Sequence, residues 1–289
     1  MFVDQCQFLS NEQALLSQDR TTIAVNVNAN DAKLRDNRIV RFAHFAVMSG
    51  SGNMFIGNHF FQGDNGTLGV RRGGIVLTST NVMTLIIGNY IDNCSIEWTN
   101  EHDEAPEYNS EFSFGGLTVT GNIFTASNIT PAFRWFVVVP YGPGHFINGL
   151  SFSDNVFRPF SGTVDRVEMV DTTYATMNYA RFVNVVMNAN AANGVTVVAQ
   201  SPVMIEHQQN TASDTWTVDA AELLPFGARA RNVQSIVMEG PVQSASNVAQ
   251  NAAPWTVVEQ GPTGGQVQLR WTSAVKGRAQ VTVRCDNPI

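Results

Sequence analysis

Charge is scarce in this chain: Asp, Glu, Lys and Arg make up 14% of its 289 residues. Basic residues are scarcer than acidic ones, 17 Lys and Arg against 24 Asp and Glu, for a formal net charge of −7. Phosphate backbones are repelled by such a surface, which argues against nucleic acid as a partner and leaves neutral, polyhydroxyl ligands. Cysteine is nearly absent. Cys6, Cys94 and Cys285 are odd in number, widely spaced and free of any CxxC pair, so neither a disulfide framework nor a zinc site is indicated. They read as small buried apolar residues. No run of 18 apolar residues exists, so no membrane-inserted helix is expected. Met1-Phe2-Val3-Asp4-Gln5-Cys6 lacks the basic and apolar regions of a signal peptide. GxSxG, HExxH and P-loop signatures are missing, as is a GxGxxG after a strand. His44, His59, His102, His145 and His207 are scattered without ligand spacing, and neither a cofactor nor a metal is expected.

What is present is a repeat. An apolar residue, often Gly or Asp, then Asn, any residue and a second apolar residue recur along the first half. The copies include Leu34-Arg35-Asp36-Asn37-Arg38-Ile39, Phe55-Ile56-Gly57-Asn58-His59-Phe60 and Ile86-Ile87-Gly88-Asn89-Tyr90-Ile91. Val119-Thr120-Gly121-Asn122-Ile123-Phe124 and Phe152-Ser153-Asp154-Asn155-Val156-Phe157 follow, and Cys6-Gln7-Phe8 fits the slot with Cys for Asn. The gaps between positions 6, 37, 58, 89, 122 and 155 are 31, 21, 31, 33 and 33. A βαβ fold would need amphipathic helices between strands, and none is visible. Short apolar runs such as Gly73-Gly74-Ile75-Val76-Leu77 and Gly115-Gly116-Leu117-Thr118-Val119 read as strands.

This is the pattern of a right-handed parallel β-helix of about five to six coils over residues 1–165. Asn37, Asn58, Asn89, Asn122 and Asn155 are expected to form a structural ladder at a sharp turn, each amide bonding neighbouring coils. The residues two positions later, Phe8, Ile39, Phe60, Ile91, Phe124 and Phe157, are expected to stack as an inward column. The first coil begins at once, which leads to the expectation that a partner or an oligomer covers it. Later coils are longer, and their inserted loops are where function is expected.

The repeat stops after Asn155. Residues 166–192 read as a linker, and residues 193–289 as a C-terminal antiparallel β-sandwich and oligomerisation domain. Gln266-Val267-Gln268-Leu269-Arg270-Trp271 and Ala279-Gln280-Val281-Thr282-Val283-Arg284 alternate apolar and polar residues. They read as a hairpin turning at Lys276-Gly277.

Coils of this style followed by a C-terminal β domain resemble the spike proteins of tailed bacteriophages and gene transfer agents, with a pectate-lyase-like β-helix. The resemblance rests on repeat style over the whole chain and on Leu224-Pro225-Phe226-Gly227-Ala228-Arg229 with the closing strands. It implies an adhesion spike on the surface of a phage-like particle, assembled in the cytoplasm, that binds bacterial surface or capsular polysaccharide. It also implies a homotrimer mounted on an N-terminal spike-base, capsid or tail protein. Some members of that class cleave their polysaccharide, so a depolymerase, either lyase or glycoside hydrolase, is the alternative. A structural spacer is a third reading.

Two excursions carry the chemistry. Residues 97–111 are acidic, with Trp98 and Tyr108 set among Glu97, Glu101, Asp103, Glu104, Glu107 and Glu111. One reading is a solvated loop. A second is a carbohydrate groove. A third is a glycosidase pair drawn from Glu101, Asp103 and Glu107. Asp103, Glu104 and Glu107 could supply calcium ligands, but without EF-hand-type loop spacing. One coil later, Phe133-Arg134-Trp135-Phe136 and Tyr141-Gly142-Pro143-Gly144-His145-Phe146 would lie beside the acidic loop. The expected carbohydrate-binding residues are therefore Trp98, Tyr108, Arg134, Trp135 and Tyr141. Burial of the aromatics in a strand is the competing reading. Gly69-Val70-Arg71-Arg72-Gly73-Gly74 reads as a turn with two basic residues, and a polysaccharide lyase could use such an arginine as base or charge neutraliser.

Overall fold

The computed structural model describes residues 1–10, 22–62 and 73–287. The basic turn at Arg71 and Arg72 lies outside the described residues. The chain is all-β and divides into two units. The first takes Met1–Asn178 and Val186–Val198, and the second takes Tyr179–Val185 and runs from Ala199 onward.

The first unit is a parallel β-solenoid. Among the described residues its strands form two sheets of seven, one of six and a pair, Val164–Arg166 with Val195–Val197, each strand pairing with its counterpart one coil away. In one sheet Phe8, Ile39, Phe60, Ile91, Phe124, Phe157 and Ala192 stand in unbroken register. This is the expected column, extended by one residue. A second column runs Val3, Leu34, Phe55, Ile86, Val119 and Phe152. A third runs Val27, Met48, Leu77, Trp98, Val138 and Val170. Rings stack both along and across the core: Phe124 lies 4.8 Å from Phe157 at 12° within one column, and Phe136 lies 5.1 Å from Phe152 of another sheet. Each buried ring removes a large apolar area from water, and offset stacking adds to that gain.

The corner between two sheets is held by the amide ladder. Asn37 Nδ2 donates to Asn58 Oδ1, Asn58 to Asn89, Asn89 to Asn122 and Asn122 to Asn155, all between 2.9 and 3.0 Å. Asn155 then donates to Asn190 at 3.1 Å, a rung absent from the sequence reading. Each ladder oxygen also accepts from the backbone N–H of the residue one coil back, starting with Cys6. The residue before each rung lies in the left-handed region: Gln5, Asp36, Gly57, Gly88, Gly121, Asp154 and Ala189, with φ between 52° and 65°. That conformation costs an L residue about 1–2 kcal/mol, least for Gly, Asn and Asp, which explains the Gly or Asp that precedes Asn.

Two boundaries differ from expectation. Residues 166–192 are largely solenoid rather than linker. Glu168–Val170 pairs with Phe136–Val138, and Ala191–Ala192 pairs with Val156–Phe157. A coil lacking the full Asn signature still completes its register. Cys94 and Cys285 are buried, but Cys6 is exposed.

The second unit is an antiparallel sheet built on two long strands, Val203–Asp219 and Gln266–Arg284. The expected hairpin at Lys276-Gly277 does not form: the strand runs straight through it. Val203–Asp219 pairs with both halves, and Asn232–Met238 and Trp255–Gln260 line the other edge of the same strand. Pairing thus runs through one strand rather than through two separate sheets. Gly277 sits inside a strand beside an irregularity, a usual place for glycine. Trp216 is wholly buried, donates to Val275 O at 3.0 Å and packs 4.8 Å from Trp271.

Candidate functional site

The site is built in the first unit, where the excursion after strand Ile96–Thr99 meets the one after strand Phe136–Val139. The two strands pair in register, so their exits lie one coil apart. Asn100 clamps both. Its Nδ2 donates to Pro106 O and Tyr141 O at 3.1 Å, and its Oδ1 accepts from Tyr141 N at 2.8 Å. Buried His145 lies 2.7 Å from Pro106 O through Nε2 and 3.3 Å from Ser113 Oγ through Nδ1. Burial is the main cause that lowers the His145 pKa, so the neutral ring is favoured. A carbonyl oxygen only accepts, so Nε2 carries the ring proton and donates to Pro106 O, while the Ser113 hydroxyl gives its own proton to Phe146 O at 2.6 Å. Tyr108 N donates to Pro143 O at 3.1 Å, closing the pair of loops. The acidic and aromatic excursions therefore lie side by side.

The expected residues fare differently within this frame. Trp98 and Trp135 are 0% exposed. Strand Ile96–Thr99 turns Trp98 into the third column, where it packs on Phe114 at 5.3 Å and donates to Ser79 O at 2.8 Å. Trp135 packs between Phe133 and Phe157. Neither ring offers a face to a sugar. Arg134 is mostly covered; its Nη1 donates to Pro131 O and Phe133 O, and Asp165 stands 3.8 Å away. It is a loop strut, not an acid-sugar ligand. Tyr108 is half-buried against His145 and Phe146.

Tyr141 remains at the surface, and it brings a partner that the sequence did not suggest. Its ring stacks on Tyr174 with centroids 4.1 Å apart at 16°, and Tyr174 is 60% exposed. The Tyr141 hydroxyl reaches Glu101 Oε2 at 3.5 Å. Burial, then the hydrogen bond with Tyr174 and the Glu101 charge, push its pKa up, so it stays a donor. Glu101 Oε1 in turn lies 3.5 Å from His102 Nε2.

Two open grooves flank the acidic loop. One, of about 460 Å³, is lined by Asn26, Asn28, Val47, Ser49, Thr78, Ser79, His102 and Asp103. Its floor is the outer face of the six-stranded sheet, where Asn28 and Ser49 are register partners joined by a 2.6 Å hydrogen bond. The buried Trp98 holds the Ser79 carbonyl beneath it. The other, of about 270 Å³, is lined by Asp103, Glu104, Glu107, Glu111 and Phe112 with Thr80, Ala105, Asn109 and His145. Asp103 borders both. Glu101, Asp103 and Glu107, the carboxyls from which a glycosidase pair was expected, are all exposed. Among the described residues, no three His, Cys, Asp or Glu side chains gather closely enough to hold a metal ion. The polar rows of the groove floor escaped notice because Asn and Ser on an outward strand face look like ordinary solvated surface.

The chain matches no family model, no curated protein and no solved structure.

Proposed function

We propose that the solenoid binds a neutral polysaccharide along the outer face of its six-stranded sheet, and that the protein serves as an adhesin of a surface spike. The observation that carries this is the open groove of about 460 Å³, floored by amide and hydroxyl side chains. Strands in a sheet are about 4.8 Å apart, so a chain laid across them meets polar groups on successive rungs. Hydroxyls of a sugar both donate and accept, as do the amides and hydroxyls of Asn26, Asn28, Ser49, Thr78 and Ser79. The groove is open and shallow, unlike the concave apolar pocket that encloses a small ligand. Tyr174 supplies the exposed aromatic face on which a pyranose stacks. Net charge of −7 and a carboxylate rim at Asp103 favour a neutral polymer here. Mounting on a phage-like particle, threefold assembly and a bacterial source of the polymer come from the resemblance and belong to the same proposal.

The test is retention of the protein by neutral capsular polysaccharides in affinity gels, with Asn28→Ala combined with Tyr174→Ala. Both residues are at the surface, so the fold should persist, and retention should fall at least tenfold. Unchanged retention overturns the reading. Shortening of the polymer during incubation would move it to the depolymerase.

A further inference from the structure

The long strands of the second unit separate at one point. Gln209 pairs with Gly277 and Ser213 pairs with Val275, so Asn210, Thr211 and Ala212 stand opposite Lys276 alone. Extra residues in one strand break the ladder and push the chain outward, and such bulges cluster at binding sites. On its other side Lys276 is register partner to Gln243. The gap opens as a groove of about 410 Å³. Its polar lining is amide-rich, Gln208, Gln209, Asn210 and Gln243, with Lys276 at the centre.

The charges there are unequally engaged. Glu239 is occupied on both oxygens: Arg278 Nε lies 3.3 Å from Oε2, and Gln280 Nε2 donates to Oε1 at 2.8 Å. Among the described residues no carboxylate pairs with Lys276, and the Gln243 side chain makes no hydrogen bond. A half-buried lysine that no carboxylate pairs with among the described residues, flanked by planar amides, suits one carboxylate with hydroxyls around it. We infer that the second unit carries its own binding site at this bulge, for an oligosaccharide bearing a carboxylate such as a uronate. Lys276 takes the carboxylate, and Asn210 and Gln243 take the neighbouring hydroxyls. This ligand differs in charge from that of the solenoid groove, and the inference does not depend on the solenoid reading.

The experiment titrates the full chain calorimetrically with a glucuronate-containing oligosaccharide and with a neutral glucose oligosaccharide of equal length. The acidic sugar should bind at least tenfold more tightly than the neutral one. Lys276→Gln should abolish that preference, and Gln243→Ala should weaken binding severalfold. Raising the salt concentration should weaken the acidic sugar selectively, as expected for a partly exposed ion pair. Asn28→Ala with Tyr174→Ala should leave the acidic sugar's affinity unchanged. Equal binding of the two sugars with Asn28→Ala and Tyr174→Ala in place, or a preference that survives Lys276→Gln in a folded protein, overturns the inference.

Discussion

The two units satisfy the same requirement, that buried backbone and polar groups find partners, over different distances along the chain. In the solenoid the ladder partners and the strand partners are one coil away. Asn58 meets Asn89 across 31 residues, and the next coil repeats the arrangement at 33. In the second unit one strand, Gln266–Arg284, pairs with four others, and buried Asp286 holds Val185 N across 101 residues. The solenoid is therefore a sum of near-neighbour interfaces, whereas the sheet depends on a single shared element. Loss of stability should stay local in the first and spread in the second.

The largest expected effects break or confirm that contrast directly. Trp216→Ala should cost the second unit about 5 kcal/mol, from the deleted core side chain and the orphaned Val275 carbonyl. Asn122→Ala should cost the solenoid about 3–4 kcal/mol, because it removes the acceptor of both the Asn89 side chain and its N–H. Hydrogen exchange resolved along the chain is the measurement. Trp216→Ala should deprotect the whole sheet, and Asn122→Ala only the coils beside position 122. Deprotection of both units by either change would refute the division.

A middle-sized effect concerns two left-handed glycines of the coils, Gly116 inside a strand and Gly88 at a corner. Gly116 has φ +78°, and a Cβ there would stand 2.8 Å from the Met83 backbone nitrogen. Gly88 has φ +65° with no atom within 4 Å of its added Cβ. Gly116→Ala should lower stability by about 2–3 kcal/mol, combining strain with a backbone clash. Gly88→Ala should lower it by about 1 kcal/mol, and Gly88→Asn by less. Denaturant midpoints at constant slope give both values, and equal costs at the two sites would show that space does not matter at these glycines.

The smallest effect is the pH response of the solenoid. Burial holds the pKa of His145 and of His59 below the ordinary 6.5. The unfolded chain then binds more protons just below pH 6.5, so the folded state is fully favoured above that pH. Its advantage falls as pH drops toward the folded values. Exchange protection of the paired excursions, corrected for intrinsic rates, should fall between pH 6.5 and 5. His145→Asn should reduce that fall, and an unaltered profile would show that His145 does not report it.

The coils were legible because each repeats one stereochemical demand. A left-handed residue followed by an inward amide leaves the same trace at Asn37, Asn58, Asn89, Asn122 and Asn155. Asn190 was missed because Ala189 precedes it and alanines follow, although it stands 35 residues beyond Asn155. The site was less legible. Trp98 was assigned to the acidic loop, but Ile96-Glu97-Trp98 alternates as a strand, and the column below dictates its direction. Tyr174 stood in a stretch with no periodicity, and only folding brings it to Tyr141. The turn expected at Lys276-Gly277 failed for a related reason: no local pattern reveals a partner strand long enough to pair both halves.

The amide ladder also makes each coil an interchangeable part. Donation runs in a single sense, from every Asn to the one on the following coil, and each rung presents the same donor below and acceptor above. A cut just after one rung and just after the next removes a whole turn while leaving matching chemistry at the seam. Length in this architecture is thus a heritable variable that duplication or deletion of one coil can change, with the excursions carried along as cargo.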